Sequence, residues 1–136
     1  MLYYVSDLET SLDRLVRALS PGGLFLTTIA GRHNTLVDFW FQGFPLLGKP
    51  VPYQTAEDVE AALVRLDHAF ERRVGEYNLS FQDTEESRLK ILRFLFGEYL
   101  ADLPRNEVLD FFEPYVTDER VEIRTDDVQF CIRGLR

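Results

Sequence analysis

The sequence predicts an α/β protein, because an amphipathic helix is followed at once by a tight turn and a short apolar run. Apolar side chains between residues 6 and 19 recur at the spacing of one helix face. The Pro-Gly-Gly at 21–23 ends that helix, since proline cannot continue it and glycine accepts a left-handed turn. The run at 24–30 is almost entirely apolar, which is typical of a strand covered on both faces in a parallel sheet.

The first residues extend this pattern backwards to another strand. Leu2-Tyr3-Tyr4-Val5 is an aromatic, apolar run that fits the end of a strand. Ser6 is then expected to cap the helix, and Glu9 three residues later would complete a capping box. Strand, helix, turn and strand in this order predict a parallel crossover unit.

The rest of the chain continues with further helices and strands. A short apolar helix is expected to begin at Asn34 or Thr35, and a proline- and glycine-rich loop follows at 43–52. A helix is predicted from Thr55 through Phe70, with Arg72 and Arg73 near its end, and a strand follows at 74–82. Two further helices are predicted at 84–100 and 108–115. The last elements predicted are strands at 120–125 and 128–134, joined by a turn at Asp126-Asp127.

Composition narrows the class of protein. The chain has 136 residues, which predicts a single domain over 1–136, and 46% hydrophobic residues are enough to bury a core. A net charge of −8 argues against nucleic acid as a partner, because binding phosphates needs concentrated positive charge. No apolar run is long enough to span a bilayer. Cys131 is the single cysteine, so no disulfide can form within the chain and a cytoplasmic location is expected.

Two motifs carry a resemblance to a known family. Leu2-Tyr3-Tyr4-Val5, the helix after it and the Leu-Ser-Pro-Gly-Gly-Leu-Phe-Leu run at 19–26 resemble the fourth strand, following helix and entry to the fifth strand of class I S-adenosylmethionine-dependent methyltransferases. The resemblance is to the C-terminal half of that fold, in small-molecule enzymes of the type 11 or 12 kind. It implies a partial Rossmann-like half-sheet, with strands equivalent to 4, 5, 6 and 7 and helices on its faces. Strand seven of the family lies antiparallel between strands five and six.

The cofactor-binding half of that family has no counterpart in these residues. In the family a glycine-rich loop after strand one lets the backbone approach S-adenosylmethionine. The adjacent glycines here, Gly22 and Gly23, stand before a strand rather than after one. The resemblance therefore implies a methyltransferase-like protein with a small-molecule substrate. We expect it to be inactive and to bind no cofactor as this chain alone.

The resemblance also suggests site residues. Leu2, Tyr3 and Tyr4 would line the cofactor pocket, although aromatic core packing explains them as well. The residues expected to line the substrate, at the end of the second strand and in a possible lid over 33–54, are Arg32, His33, Asn34, Trp40 and Tyr53. The lid has a plain alternative, a core helix with a proline-rich connection. No catalytic residue can be assigned, and no metal spacing is present.

The half-sheet implies a partner. Strand four pairs with strand one in the family, so an isolated 2–5 segment would be an exposed, apolar sheet edge. We expect either a homodimer, burying residues near Met1–Val5 or the aromatic segment 39–44, or a complementary N-terminal polypeptide. A different class stays open as the alternative, namely a non-catalytic binding or dimeric assembly module that reuses the half-fold.

Overall fold

The computed structural model describes residues 2–135 of the chain. Five α-helices and four strands are found there, with short 3₁₀ turns between several of them. The elements in chain order are α1 Leu8–Ala18, β1 Leu24–Ile29, α2 Thr35–Gly43, α3 Ala56–Arg65, β2 Phe70–Gln82, α4 Glu85–Phe96, α5 Arg105–Leu109, β3 Val116–Thr117 and β4 Arg120–Arg133. The 3₁₀ turns cover Leu2–Tyr4, Phe44–Leu47, Gly97–Asp102 and Asp110–Tyr115.

The sheet confirms the predicted fold class, a mixed α/β fold with flanking helices. Its strand order is β1-β4-β2, and β4 pairs antiparallel with β1 from Leu24 opposite Arg133 to Ile29 opposite Val128. The last long strand is thus inserted between two earlier ones, as expected for the equivalent of strand seven. No parallel neighbour of β1 is found within residues 2–135, so the predicted parallel crossover is wrong.

The opening segment is not a strand. Leu2–Tyr4 forms a 3₁₀ turn, so the predicted equivalent of strand four and the exposed sheet edge at 2–5 are both wrong. The backbone of this segment is fixed by Gln54, whose N–H donates to the Tyr3 carbonyl and whose Nε2 donates to the Val5 carbonyl, both at 2.9 Å. These hydrogen bonds from a residue distant in sequence replace the ladder that a strand would have needed. Met1 lies outside the described residues.

The chain divides into two compact units. The first, here the N-terminal unit, consists of 1–33, 52–76 and 126–136, and the second, the central unit, consists of 34–51 and 77–125. Strands β2 and β4 each contribute residues to both units. The single domain over 1–136 and the substrate lid over 33–54 stay predictions.

The core of the N-terminal unit lies between two helices and one face of the sheet. Its buried side chains come from α1, α3, β1 and β4: Leu8, Leu12, Val16, Ile29, Ala56, Val59, Ala62, Leu63, Val128, Phe130 and Ile132. The opposite face of β1 is open, since Leu24 is 50% and Leu26 59% exposed. The expectation that this strand is covered on both faces is therefore wrong.

The central unit has an aromatic core. Phe39 packs edge-on against Phe112 with ring centroids 5.1 Å apart, and Phe44 packs against Phe96 at 5.4 Å. All four rings are fully buried. Phe39 and Phe44 are therefore core residues of this unit and cannot form the dimer surface that the sequence suggested, whereas Phe41 in the same segment is 36% exposed.

Three local predictions are corrected by the structure. Asp7, not Ser6, caps α1, because its carboxylate accepts the Thr10 N–H at 3.2 Å. Helix α3 ends at Arg65, and β2 begins at Phe70, whose ring packs on Phe130 in the core. Strand β4 runs unbroken from Arg120 to Arg133 through Asp126-Asp127, where a turn was predicted.

Candidate functional site

The candidate site lies at the C-terminal end of β1, in the N-terminal unit. In open α/β sheets, ligands bind outside the carboxyl ends of strands. Both backbone groups of Ala30, the residue directly after β1, make hydrogen bonds. Its N–H donates to the Tyr3 hydroxyl at 2.8 Å, and its carbonyl accepts the Ala56 N–H at 3.0 Å. The 3₁₀ turn, the strand end and the start of α3 are thereby joined at one point.

A carboxylate lies directly beside this strand end. The Arg32 N–H donates to Glu57 Oε1 at 2.6 Å and approaches Oε2 at 3.4 Å. Gly31 makes room for it, because a Cβ on this residue would lie 2.7 Å from Glu57 Oε2. Glu57 is in the first turn of α3, where the helix dipole favours a negative side chain. A negative group is therefore fixed where the chain leaves the strand.

Three tyrosines make up the aromatic part of the site. The rings of Tyr4 and Tyr53 meet edge to face with centroids 5.4 Å apart, and Tyr3 and Tyr4 are 6.3 Å apart. Tyr4 is 61% exposed, whereas Tyr3 is half-buried. The structure thus brings together Tyr3, Tyr4 and Tyr53, which the sequence had assigned to two different parts of the pocket.

Arg32 and His33 are also placed at this strand end, and both are exposed. They follow Gly31 in the turn between β1 and α2. In the residues described, no group of three or more histidine, cysteine, aspartate or glutamate side chains is arranged to hold a metal ion.

Asn34 is a buried residue of the central unit and caps helix α2. It is 1% exposed, and its Oδ1 accepts the N–H groups of Leu36 and Val37, which caps α2 as the sequence predicted. Its Nδ2 donates to the Tyr77 hydroxyl at 3.0 Å. The contacts of this side chain therefore fix the start of α2.

Trp40 is likewise a core residue of the central unit. It is 6% exposed, and its indole Nε1 donates to the Leu95 carbonyl at 2.7 Å. Gly43 follows on the same helix, where a Cβ would come within 2.5 Å of the Phe96 ring. Trp40 and Gly43 thus belong to the packing of α2 in that unit.

Glu57 and Gln54 were missed by the sequence reasoning. A glutamate in the first turn of a helix is sufficiently explained by the helix dipole, and no local pattern marks Gln54. A possible signal was Gly31 itself, a glycine directly after a strand, which indicates a close approach by another group. Nothing in the sequence indicated which group that was.

A buried histidine of the N-terminal unit lies in the turn after α3 and contacts a carboxylate on α1. His68 Nε2 is 3.0 Å from Asp13 Oδ1, and the His68 side chain is only 4% exposed. Arg17 and His68 both lower the pKa of Asp13, the hydrogen bond from Arg17 most strongly. The sequence had placed His68 on a helix, but it follows α3 and is buried.

Comparison with solved structures supports the fold assignment. One similar structure is a crystal structure of a Bacillus halodurans C-125 protein named "putative methyltransferase", with a TM-score of 0.50 and 13% sequence identity. The match covers 99% of this chain and 61% of the other chain, so this chain spans less than two thirds of that protein's length. The likeness shows that the chain has a methyltransferase-like fold. No protein-family model matches the sequence, and no curated protein matches it either.

Proposed function

We propose that these residues are the C-terminal, substrate-side part of a class I S-adenosylmethionine-dependent methyltransferase of the small-molecule, type 11 or 12 kind. The observation that carries this proposal is β4, which lies antiparallel between β1 and β2. That order matches the strand equivalents 5, 7 and 6 that the motif resemblance implies. The proposal is also supported by the structural match, in which nearly the whole chain aligns with 61% of the protein named "putative methyltransferase".

We propose that the residues described do not suffice to hold S-adenosylmethionine. The cofactor needs closely approaching backbone in a glycine-rich loop after a strand. The glycines with positive φ are Gly22, Gly48 and Gly97, and none of these follows a strand directly. The Tyr3 hydroxyl already accepts a hydrogen bond from Ala30. We therefore propose that this chain alone binds no cofactor and transfers no methyl group.

In a complete enzyme, the site at the end of β1 would form one wall of the pocket. Tyr4 offers an exposed ring for the cofactor, beside Tyr3, which is bonded to Ala30, and Leu2 is the third residue we propose for this wall. Arg32, His33 and Tyr53 are the groups we propose toward the substrate. Asn34 and Trp40, the two other substrate candidates, have their contacts inside the central unit.

The test compares two lengths of the same polypeptide. The reading frame upstream of Met1 is expected to continue and to encode a glycine-rich loop after an apolar strand. Isothermal titration with S-adenosylmethionine should then give micromolar binding to the extended chain and no binding to residues 1–136. A closed frame upstream, or an extended chain without affinity, would overturn the proposed relationship. Binding by the short chain would overturn the claim that it is inactive alone.

The alternative function is an assembly module. One observation favours it, namely that β1 is an edge strand whose open face carries the exposed Leu24 and Leu26. An apolar strand edge is a template for pairing with another strand. In this reading, the half-fold holds copies or partners together and has no chemistry of its own.

A further inference from the structure

A groove runs beside helix α4 in the central unit. Its volume is about 550 Å³, within the range of roughly 300–1,000 Å³ that small-molecule sites occupy. Leu89, Arg93 and Gly97 line it from one side, and their spacing of four residues places them in one row along α4 and its C-terminal end. The other lining residues follow α4 in the chain and end at Val108 of α5. The groove therefore belongs to the central unit alone.

Gly97 leaves the end of this row open. It adopts a φ of +52°, which residues with a side chain rarely do. Apart from its chain neighbours and the backbone of α4, nothing lies within 4 Å of the place where its Cβ would be. A ligand can therefore come close to the backbone at this point.

The floor of the groove is apolar. Val108 is fully buried and Leu103 is 6% exposed, whereas Leu89 and Leu100 are half-buried. The two half-buried leucines offer apolar surface that becomes covered when an apolar group fills the groove. Removing such surface from water is favourable in proportion to its area. The floor therefore favours a ligand with an apolar part.

Three charged side chains line the groove, and two of them have no partner. Arg105 is bonded to Glu85 through its Nε and Nη2. Arg93 and Glu98 are both exposed, and within residues 2–135 neither side chain makes a hydrogen bond, an ion pair or a ring contact. A positive and a negative group thus lie at the same small space without neutralising each other.

We propose that this groove binds a small zwitterion with an apolar side chain, such as a free apolar amino acid. The guanidinium of Arg93 receives the carboxylate of the ligand, since its fork of donors matches the two carboxylate oxygens. The carboxylate of Glu98 receives the ammonium group, and the apolar floor receives the side chain. A simple anion is repelled by Glu98, and a simple cation is repelled by Arg93. This inference does not rest on the proposed methyl-transfer function.

The first test compares three probes that share one side chain, at pH 7. These are L-phenylalanine, N-acetyl-L-phenylalanine, which lacks the ammonium group, and L-phenylalanine amide, which lacks the carboxylate. Titration of residues 1–136 followed by ¹⁵N–¹H NMR gives both the affinity and the place of binding. We expect phenylalanine to bind with a dissociation constant on the order of 1 mM, because an open groove covers only part of a ligand. The amide signals that move should lie between 89 and 108, and the other two probes should bind about fivefold more weakly.

The second test exchanges these preferences by substitution. Arg93→Gln should weaken phenylalanine about fivefold, and the amide should then bind at least as well, because only the contact with Glu98 is left. Glu98→Gln should do the same for N-acetyl-L-phenylalanine. Arg124→Gln is the matched control, an exposed arginine on β4 that does not line the groove. Ala101→Trp places a large side chain at an exposed position of the groove and should abolish the binding of all three probes.

Each outcome decides for or against the proposal. Binding of phenylalanine at 89–108, with both exchanges of preference, supports a site for a zwitterion. No signal change up to about 20 mM phenylalanine, or equal affinity for the three probes, overturns it. Tighter binding of N-acetyl-L-phenylalanine by the unchanged chain would show a site for anions and overturn the role of Glu98. Circular dichroism melting checks the folding of each variant, and if Ala101→Trp does not fold, the two charge variants decide.

Discussion

Arg88 and Asp83 form a two-pronged ion pair at the start of α4, with Nε to Oδ1 at 2.6 Å and Nη2 to Oδ2 at 2.9 Å. The Nη1 group of Arg88 donates to the Leu109 carbonyl and to Glu113. The guanidinium also lies over the Phe112 ring, 5.8 Å from its centroid. A single side chain, 10% exposed, thus connects the beginning of α4 to α5 and the turn after it.

The first prediction concerns the removal of this guanidinium. Arg88→Met should lower the free energy of unfolding by about 2–4 kcal/mol, because Asp83 and the Leu109 carbonyl lose their partner in a largely buried place. Arg88→Lys should lose less, since it keeps the charge but not the two-pronged geometry. Urea unfolding followed by circular dichroism measures both. Arg93→Met, on the exposed face of the same helix, should change stability by less than about 0.5 kcal/mol. Equal losses for Arg88→Met and Arg93→Met would refute the role assigned to this ion pair.

The second prediction is the pH dependence of the same contact. The hydrogen bond from Arg88 lowers the pKa of Asp83 below its usual 3.8, against the opposing effect of burial. A carboxyl with a depressed folded pKa stabilises the protein above its unfolded pKa, and the contribution is lost as pH falls through the folded value. The destabilisation by Asp83→Asn should therefore be full at pH 7 and shrink below pH 4. Urea unfolding at a series of pH values tests this, and a difference that stays constant from pH 7 to pH 2 would contradict it.

The third prediction uses the tight turn between β3 and β4. Thr117 pairs with Arg120, so Asp118 and Glu119 form a two-residue loop, and both have positive φ, +49° and +64°. Such loops favour glycine at the second position. Glu119→Gly should stabilise the protein by roughly 0.5–1 kcal/mol, because a left-handed conformation costs about 1–2 kcal/mol for other residues.

Thermal melting measures this gain. Glu122→Gly is the matched control, an exposed glutamate in the extended part of β4, where glycine should destabilise instead. The same sign for both substitutions would show that the turn conformation is not the cause.

The fourth prediction tests the hydrogen bond between the Ala30 N–H and the Tyr3 hydroxyl at the candidate site. Tyr3→Phe removes the hydroxyl that accepts the Ala30 N–H, and Ala30 is only 6% exposed. A buried donor without a partner costs about 1–3 kcal/mol, so the stability should fall by that amount. Tyr4→Phe, at a ring that is 61% exposed, should have almost no effect. A loss at Tyr4 as large as at Tyr3 would mean that the hydroxyl of Tyr3 is not the important contact.

Local signals in the sequence predicted the helices and most strands well. Asn34 and Thr84 cap their helices as expected, since capping depends on a side chain and backbone groups two or three residues away. The prediction of a strand at 2–5 was wrong, because the backbone of this segment is bonded to Gln54, which lies some fifty residues further along the chain. The carboxylate of Glu57 beside Gly31 could not be foreseen for the same reason. A helix-start glutamate has a sufficient local explanation, and its contact with the strand end depends on the tertiary fold.

The position of Trp40 has a practical consequence. It is the single tryptophan of the chain, and its indole is buried and bonded to Leu95 within the central unit. Intrinsic emission excited at the red edge of the absorption band will therefore report on the surroundings of that one ring. A shift to longer wavelength will mark the opening of the central unit, and changes confined to the region around β1 should leave the spectrum as it is.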